Sequence, residues 1–475
     1  MTKVILIGLD CAEPSLVFDQ WRHELPNLRR LMASGVYGRL RSCDPPITVP
    51  AWTCMMTSRD PGELGIYGFR NRKSHEYGAL GIASSLSVRE DRVWDILGRD
   101  GRDVVVVGVP PSYPVRPVNG NLISCFLTPG LDSAHTHPPE LQSEIRDLVG
   151  DYLFDVEGFR TDDKPALLNR IYDMTRKRFR VLRRLIQTKP WNYFMFVEMG
   201  TDRIHHGFWK HHDPNHVKHE RGSPYGNVIR DYYRYLDGEI GDLLALAGDE
   251  TVILVVSDHG VKKMDGGVCV NEWLMNEGFL KVKSYPKELT SPAQLEFDWD
   301  KTLAWGEGGY YGRIYLNIRG REPRGVIAPY DVSRVRADLK AGLEGMKDEH
   351  GRPLGTRVLF PRDIYREVRG VAPDLITYFG DLDWRSVGTM GHRKVLTREN
   401  DTGPDDANHD THGIFIMSRK SDWEKTGEEA APGAPLSGLT LYDVAPTLLS
   451  LYGLPVPAEM QGRVIAGTGD PPFFG

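Results

Sequence analysis

Short, unbroken apolar runs separated by longer amphipathic stretches set the rhythm of this chain. The runs Val4 to Leu9, Asp103 to Val109, Tyr193 to Met199 and Thr251 to Ser257 show little polar alternation, as strands buried on both faces do. Between them, Leu25 to Ser34, Arg92 to Arg99, Pro165 to Thr188 and Gly226 to Ala247 repeat apolar side chains at three- and four-residue spacing, the mark of helices with one packed face. Strands alternating with helical crossovers of this length predict an α/β fold: a doubly wound, mostly parallel sheet flanked by helices.

The rhythm weakens in two places. Tyr285 to Asp300 and Arg319 to Arg362 are richer in Pro, Gly and charge, with Arg313 to Ile318 reading as a strand between them. Residues 285–362 are expected to form a cap or insertion within a single catalytic domain spanning 1–475. The acidic stretch Asp401 to Asp410 reads as a loop and the tail after Pro455 as a terminal wrap, with no internal repeat or low-complexity tract.

Composition narrows the setting. A chain of 475 residues is long enough for two or three domains. Its candidate ligands, however, run from residue 10 to residue 412, so most of the chain must close on itself to bring them together. With 59 basic against 65 acidic residues and no basic stripe, polymeric nucleic acid is not an expected partner. Five scattered cysteines without a CxxC spacing argue against a disulfide framework or a thiolate zinc site, and for a reducing compartment. No run approaches the roughly 18 apolar residues of a membrane span, and no leader pattern opens the chain. The expectation is a cytoplasmic protein, as a monomer or a homo-oligomer.

The candidate chemistry sits at the ends of the apolar runs. Asp10 follows the first. Asp202 and His206, four residues apart after the third, share one face if ThrAspArgIleHisHis is helical. Asp258 and His259 follow the fourth in ValSerAspHisGly, where a tight Gly turn lets both reach one ion. His409 and His412 precede IlePheIleMet. Each alone has a plainer explanation: Asp10 as a helix cap, the Asp202 segment as a polar loop. Four together, mixing carboxylate and imidazole at strand ends, suggest a two-metal hydrolytic site at one edge of a sheet. Thr48, in ProProIleThrValProAlaTrpThr, offers a hydroxyl at the start of an expected helix, where it would either act as a nucleophile or merely cap the helix.

These motifs carry a family resemblance. Asp10, ThrValProAlaTrp with ArgAspProGlyGluLeuGlyIleTyrGlyPhe, ThrAspArgIleHisHis, SerAspHisGly and AsnHisAspThrHisGlyIlePheIleMet resemble the alkaline phosphatase superfamily. Within it they are most similar to the type I phosphodiesterase and nucleotide pyrophosphatase branch, including bacterial members described as predicted phosphohydrolases or phosphomutases. The resemblance runs through TyrAspValAlaProThrLeuLeuSerLeuTyrGly at 442–453 and so covers nearly the whole chain. It implies one divalent cation held by Asp10, Asp258 and His259 beside the nucleophile Thr48. A second would be held by Asp202, His206 and a late histidine, His409 by one family spacing and His412 by another. It implies a covalent phosphothreonine and a small-molecule phosphate ester substrate, with ions about 4 Å apart. Zinc suits the ligand set best, with manganese as the alternative.

The chain departs from its branch at one position. Where relatives place an Asn after the nucleophile, this sequence has Phe69, with Asn71 out of register and flanked by Arg70 and Arg72, which could grip a phosphate or carboxylate. Cys54 lacks the Cys-x-Pro-x-Arg context of sulfatases and reads as a packed side chain. Phosphodiester or pyrophosphate hydrolysis is the expected activity. Monoester hydrolysis or phosphomutase action is the enzymatic alternative, and a metal-binding scaffold without turnover the non-enzymatic one.

Overall fold

Val4–Leu9 has no exposed face because hydrogen-bonded strands flank it on both sides and helices cover the sheet. The computed structural model describes residues 2–423 and 432–465. Val4–Leu9 pairs in parallel with Tyr193–Glu198 on one side and with Val252–Val256 on the other. Six apolar residues in a row are what such a position demands.

Among the described residues the central sheet has nine strands. Their order is Leu436–Thr440, Gly35–Arg41, His412–Arg419, Val252–Val256, Val4–Leu9, Tyr193–Glu198, Val104–Val107, Gly120–Ile123, Thr136–His137. His412–Arg419 runs against both its neighbours and Thr136–His137 against its one; all other pairings are parallel. The fold is the doubly wound, mostly parallel α/β arrangement expected from the sequence. The expected helices appear as Pro26–Ala33, Val93–Arg99, Lys164–Thr188 and Val228–Ala245.

A second apolar cluster, drawn from Val268 to Met390, builds a smaller lobe. Its antiparallel sheet runs Ala304–Glu307, Gly312–Leu316, Leu375–Tyr378, Arg357–Leu359. Within the stretch read as irregular, Val332–Glu344 is a helix whose Val335, Leu339 and Leu343 are buried at four-residue spacing. Charged neighbours at nearly every other position hid that narrow stripe. The acidic stretch is a loop only to residue 406: Ala407–Asp410 pairs antiparallel with Gly260–Lys263. Of the tail after Pro455, Gln461 donates to Asp60 and Glu63, while 466–475 lie outside the described residues. No helix among the described residues is long and apolar enough to cross a membrane, and all five cysteines are buried and unpaired.

Candidate active site

Three adjacent parallel strands deliver three acids to one edge. Asp10 follows Val4–Leu9, Asp258 follows Val252–Val256, and Asp202 lies in the first turn of Gly200–His212, the helix that succeeds Tyr193–Glu198. The carboxyl ends of parallel strands are where open α/β sheets collect ligands. Because His412–Arg419 is antiparallel to Val252–Val256, the residues that precede it arrive at this same edge. They bring His409, whose backbone faces Val261 in the short ladder with Gly260–Lys263.

Two groups result, each with all its donor atoms buried: Asp10, Asp258 and His259 in one, Asp202, His206 and His409 in the other. In the first, His259 Nε2 lies 3.2 Å from Asp258 Oδ2 and 3.8 Å from Asp10 Oδ1. In the second, Asp202 Oδ1 lies 3.2 Å from His206 Nε2 and 3.8 Å from His409 Nε2. The His259 and His409 rings stack at 3.8 Å, so the groups share a border. Asp10 Oδ1, Asp202 Oδ1 and Asp258 Oδ2 are buried and accept no hydrogen bond. Orphaned carboxylate oxygens facing imidazole nitrogens are costly unless a cation satisfies them. Oxygen and nitrogen donors without thiolate fit zinc or manganese.

The remaining atoms of these side chains are held by others. Trp52 Nε1 donates to Asp10 Oδ2 at 2.8 Å, and the Cys11 amide donates to Asp258 Oδ1 at 3.2 Å. His206 Nδ1 lies 2.7 Å from Asp405 Oδ1, His259 Nδ1 3.0 Å from the Gly260 carbonyl, and His409 Nδ1 3.0 Å from the Pro46 carbonyl. Each imidazole is thus turned so that Nε2 faces inward, the orientation a ligating histidine needs. Arg203 pairs with the other oxygen of Asp202 and with Asp155.

The charges separate accordingly. Burial and the neighbouring Asp202 push the Asp10 carboxyl well above its usual range, and burial with Asp10 does the same to Asp258. Asp202 is also buried, but His206 and Arg203 outweigh that and hold it well below. Burial opposes the His206 charge, yet Asp405 and Asp202 raise it to about 9. His259, with burial dominant, falls to about 4.

Thr48 opens the helix Thr48–Thr57, one turn before Trp52, and is 3 % exposed. It is the first residue inside the helix, after Ile47 at the N-cap position, and its Oγ1 lies 3.4 Å from His259 Nε2. Pro50, third in that helix, costs nothing there because the first amides have no intrahelical partner. His412, at the start of its strand, stands apart from both groups, half-buried, with Nδ1 3.1 Å from Thr411 Oγ1.

A cavity of about 560 Å³ opens between Thr48, Asp202 and His409 on one side and the smaller lobe on the other. Arg70 and Phe69 line it. Asn71 and Arg72, also expected to hold substrate, do not line it. Asn71 Oδ1 accepts from the Tyr67 amide at 2.7 Å and its Nδ2 donates to Gly68, closing a turn. Arg72 is buried against Glu322 at 3.3 Å and over the rings of Trp305 and Tyr315, an ion pair and two ring faces that draw it into the lobe core. Cys54 is buried, as expected of a packing residue.

Reading the sequence missed Trp52, Asp405, Arg203 and Tyr310. The Tyr310 ring stands 5.0 Å from His206 and 4.3 Å from His409. Trp52 had a signal, one helical turn after Thr48; Asp405 had none among the neighbouring acids.

The model of the type I phosphodiesterase / nucleotide pyrophosphatase family matches residues 4–414. The chain belongs to that family. It is thereby a member of the alkaline phosphatase superfamily and of a group of metal-dependent phosphoester hydrolases. Among solved structures it is similar to phosphonoacetate hydrolase from Sinorhizobium meliloti 1021 in complex with phosphonoacetate, at 16% identity and a TM-score of 0.60 over 94% of each chain. It is also similar to human ectonucleotide pyrophosphatase / phosphodiesterase 5, at 12% identity and a TM-score of 0.54, covering 98% of this chain and 97% of that one. The murine counterpart in complex with AMP gives 13% identity and a TM-score of 0.52 over 96% of each chain. No curated protein sequence matches the chain.

Proposed function

We propose that this protein is a two-metal phosphodiesterase that acts through a covalent phosphothreonine at Thr48. The observation that carries this reading is the convergence of three unsatisfied buried carboxylate oxygens with three inward-facing imidazoles next to the buried hydroxyl of Thr48. Asp10, Asp258 and His259 would hold one divalent cation and Asp202, His206 and His409 the other, zinc by preference and manganese as the alternative. Bound there, such ions supply Lewis-acid stabilisation of charge on the nucleophile and the departing oxygen.

The chain itself fixes the geometry. The Thr48 hydroxyl, at the first position of a helix, meets the phosphoryl group where the positive helix end favours an anion. Its attack on phosphorus forms the Thr48 ester and expels an alcohol, and water then releases the phosphate monoester. Trp52 keeps Asp10 and the Thr48 helix in register through one hydrogen bond. Asp405 keeps His206 from rotating. The lobe that contains residues 285–362 covers the site as a cap: Ser291 and Tyr310 line the cavity from it. Five unpaired buried thiols agree with a reducing, cytoplasmic setting.

The test compares bis(p-nitrophenyl) phosphate with p-nitrophenyl phosphate on zinc- or manganese-loaded protein, with Thr48→Ala as control. Faster diester cleavage that falls by at least about three orders of magnitude in the variant is expected. Faster monoester cleavage would move the reading to a phosphatase or mutase, and folded, metal-loaded protein inert toward both would leave the scaffold.

A further inference from the structure

The cavity beside Thr48 holds more positive charge than its own acids balance. Two of its arginines are neutralised: Arg160 by Asp405 at 2.8 Å, and Arg203 by Asp155 and Asp202. Of three others, one is paired only at long range and two make no ion pair among the described residues. Arg313, on the strand Gly312–Leu316 of the smaller lobe, is 8 % exposed. Its guanidinium donates to the backbone carbonyls of Arg70 and Gly308 and makes no ion pair among the described residues. Arg385 is 5 % exposed; it donates to Thr402 Oγ1 at 3.2 Å and stands 3.7 Å from Asp401, while its Nε is buried with no partner. The exposed guanidinium of Arg70 lines the same cavity with no partner among the described residues.

Glu307 is the acid placed to answer Arg313, since the two face each other across the ladder. Burial holds its carboxyl above the usual range, which weakens that answer. A guanidinium buried without a formal counter-charge is a standing cost to the fold. An anionic ligand would remove that cost, and a planar fork of donors suits a carboxylate or a phosphate.

We propose that Arg313, Arg385 and Arg70 form a second anion subsite, so that the substrate carries a carboxylate or a further phosphate on the group attached to the reacting phosphorus. The inference rests on the phosphoesterase reading, and it names the substrate class: small, at least doubly anionic phosphate esters. A diester with uncharged substituents carries its single charge at the reacting phosphorus and offers these arginines no second anion.

Binding of inert phosphonates tests this without turnover. Calorimetry on the zinc-loaded protein would compare propylphosphonate, 2-aminoethylphosphonate, 2-carboxyethylphosphonate and 2-phosphooxyethylphosphonate. The two with anionic tails are expected to bind about ten- to a hundred-fold more tightly than propylphosphonate, and the aminoethyl compound no better. Whichever anionic tail wins identifies carboxylate or phosphate as the recognised group. Arg313→Met and Arg385→Met should each erase the preference while propylphosphonate affinity stays within about two-fold. Arg70→Met, at an exposed position, should reduce it even if the buried variants do not fold. Equal affinity for anionic and neutral tails in the unaltered protein overturns the subsite. Loss of esterase activity in every assay, with the anionic preference intact, would instead overturn the phosphoesterase reading and leave the subsite standing.

Discussion

The imidazoles show how much a single residue's neighbours decide. His409 and His412 are both preceded by polar residues and followed by an apolar strand, and nothing in their local sequence separates them. What separates them is the Pro46 carbonyl, which receives His409 Nδ1 and turns Nε2 toward Asp202. That bond also ties the late strand to the loop leading into Thr48. His409→Ala is therefore expected to lose one of two metal equivalents by elemental analysis, while His412→Ala keeps both; the opposite result would reassign the ligand. Asp405 belongs to the same scale. It lies in a run with Asp401, Asp406 and Asp410, and only folding singles it out by setting it 2.7 Å from His206.

Elements matter here through how closely they approach. A Cβ on Gly8 would lie 2.5 Å from the Trp52 ring and 2.9 Å from Val197. The strand Val4–Leu9 can thus hold Asp10 against the Thr48 helix only because position 8 has no side chain. Gly8→Ala should cost about 1–3 kcal/mol in denaturant unfolding and depress hydrolysis of any ester by moving Trp52. Unchanged activity in a destabilised protein would show that Trp52 does not set the register. In the smaller lobe, Asp374 joins the strand Leu375–Tyr378 to its surroundings by pairing with Arg321 at 2.7 Å and Arg336 at 2.9 Å. Burial would raise its carboxyl, but the hydrogen bonds and charge of Arg321 hold it below the usual range. A depressed carboxyl contributes stability above its unfolded value, near pH 3.9, and loses it as pH falls further. Asp374→Asn should therefore be less stable at neutral pH by about 3 kcal/mol, with the gap closing toward pH 3. A gap independent of pH would mean that the pair contributes by shape rather than charge.

At the scale of the whole molecule, the site is an electrostatic burden that its ions relieve. Asp10 and Asp258 repel each other in a buried edge of the sheet, and both are pushed toward the protonated form. Cation binding to the folded state alone stabilises it by mass action. Chelation is expected to lower the melting temperature and abolish hydrolysis together, with zinc or manganese restoring both. Asp258→Asn should melt higher than the unaltered protein when both are metal-free, and gain less from added metal, because it removes one of the repelling charges along with a ligand. A variant that melts lower without metal would indicate that Asp258 is held by hydrogen bonds rather than strained by charge. Such melting curves separate metal binding from catalysis, which activity alone does not.

Apolar runs such as ValIleLeuIleGlyLeu and TyrPheMetPheValGlu determined the parallel sheet, because a strand covered on both faces has no use for polar alternation. The acids and histidines at their ends determined the kind of site, since the strand ends of such a sheet meet at one edge. The helix Val332–Glu344 and the strand Ala407–Asp410 were not legible, the first because a narrow buried stripe was diluted by charge, the second because its partner lies about 150 residues away in sequence. Tertiary structure alone decided which late histidine joins the cluster, that Arg72 packs inward while Arg70 faces the cavity, and that Arg313, with no ion pair among the described residues, and Arg385, 3.7 Å from Asp401, line the cavity beside Thr48. These are relations between surfaces contributed by distant segments, and a pattern of residues along the chain carries no distance between them.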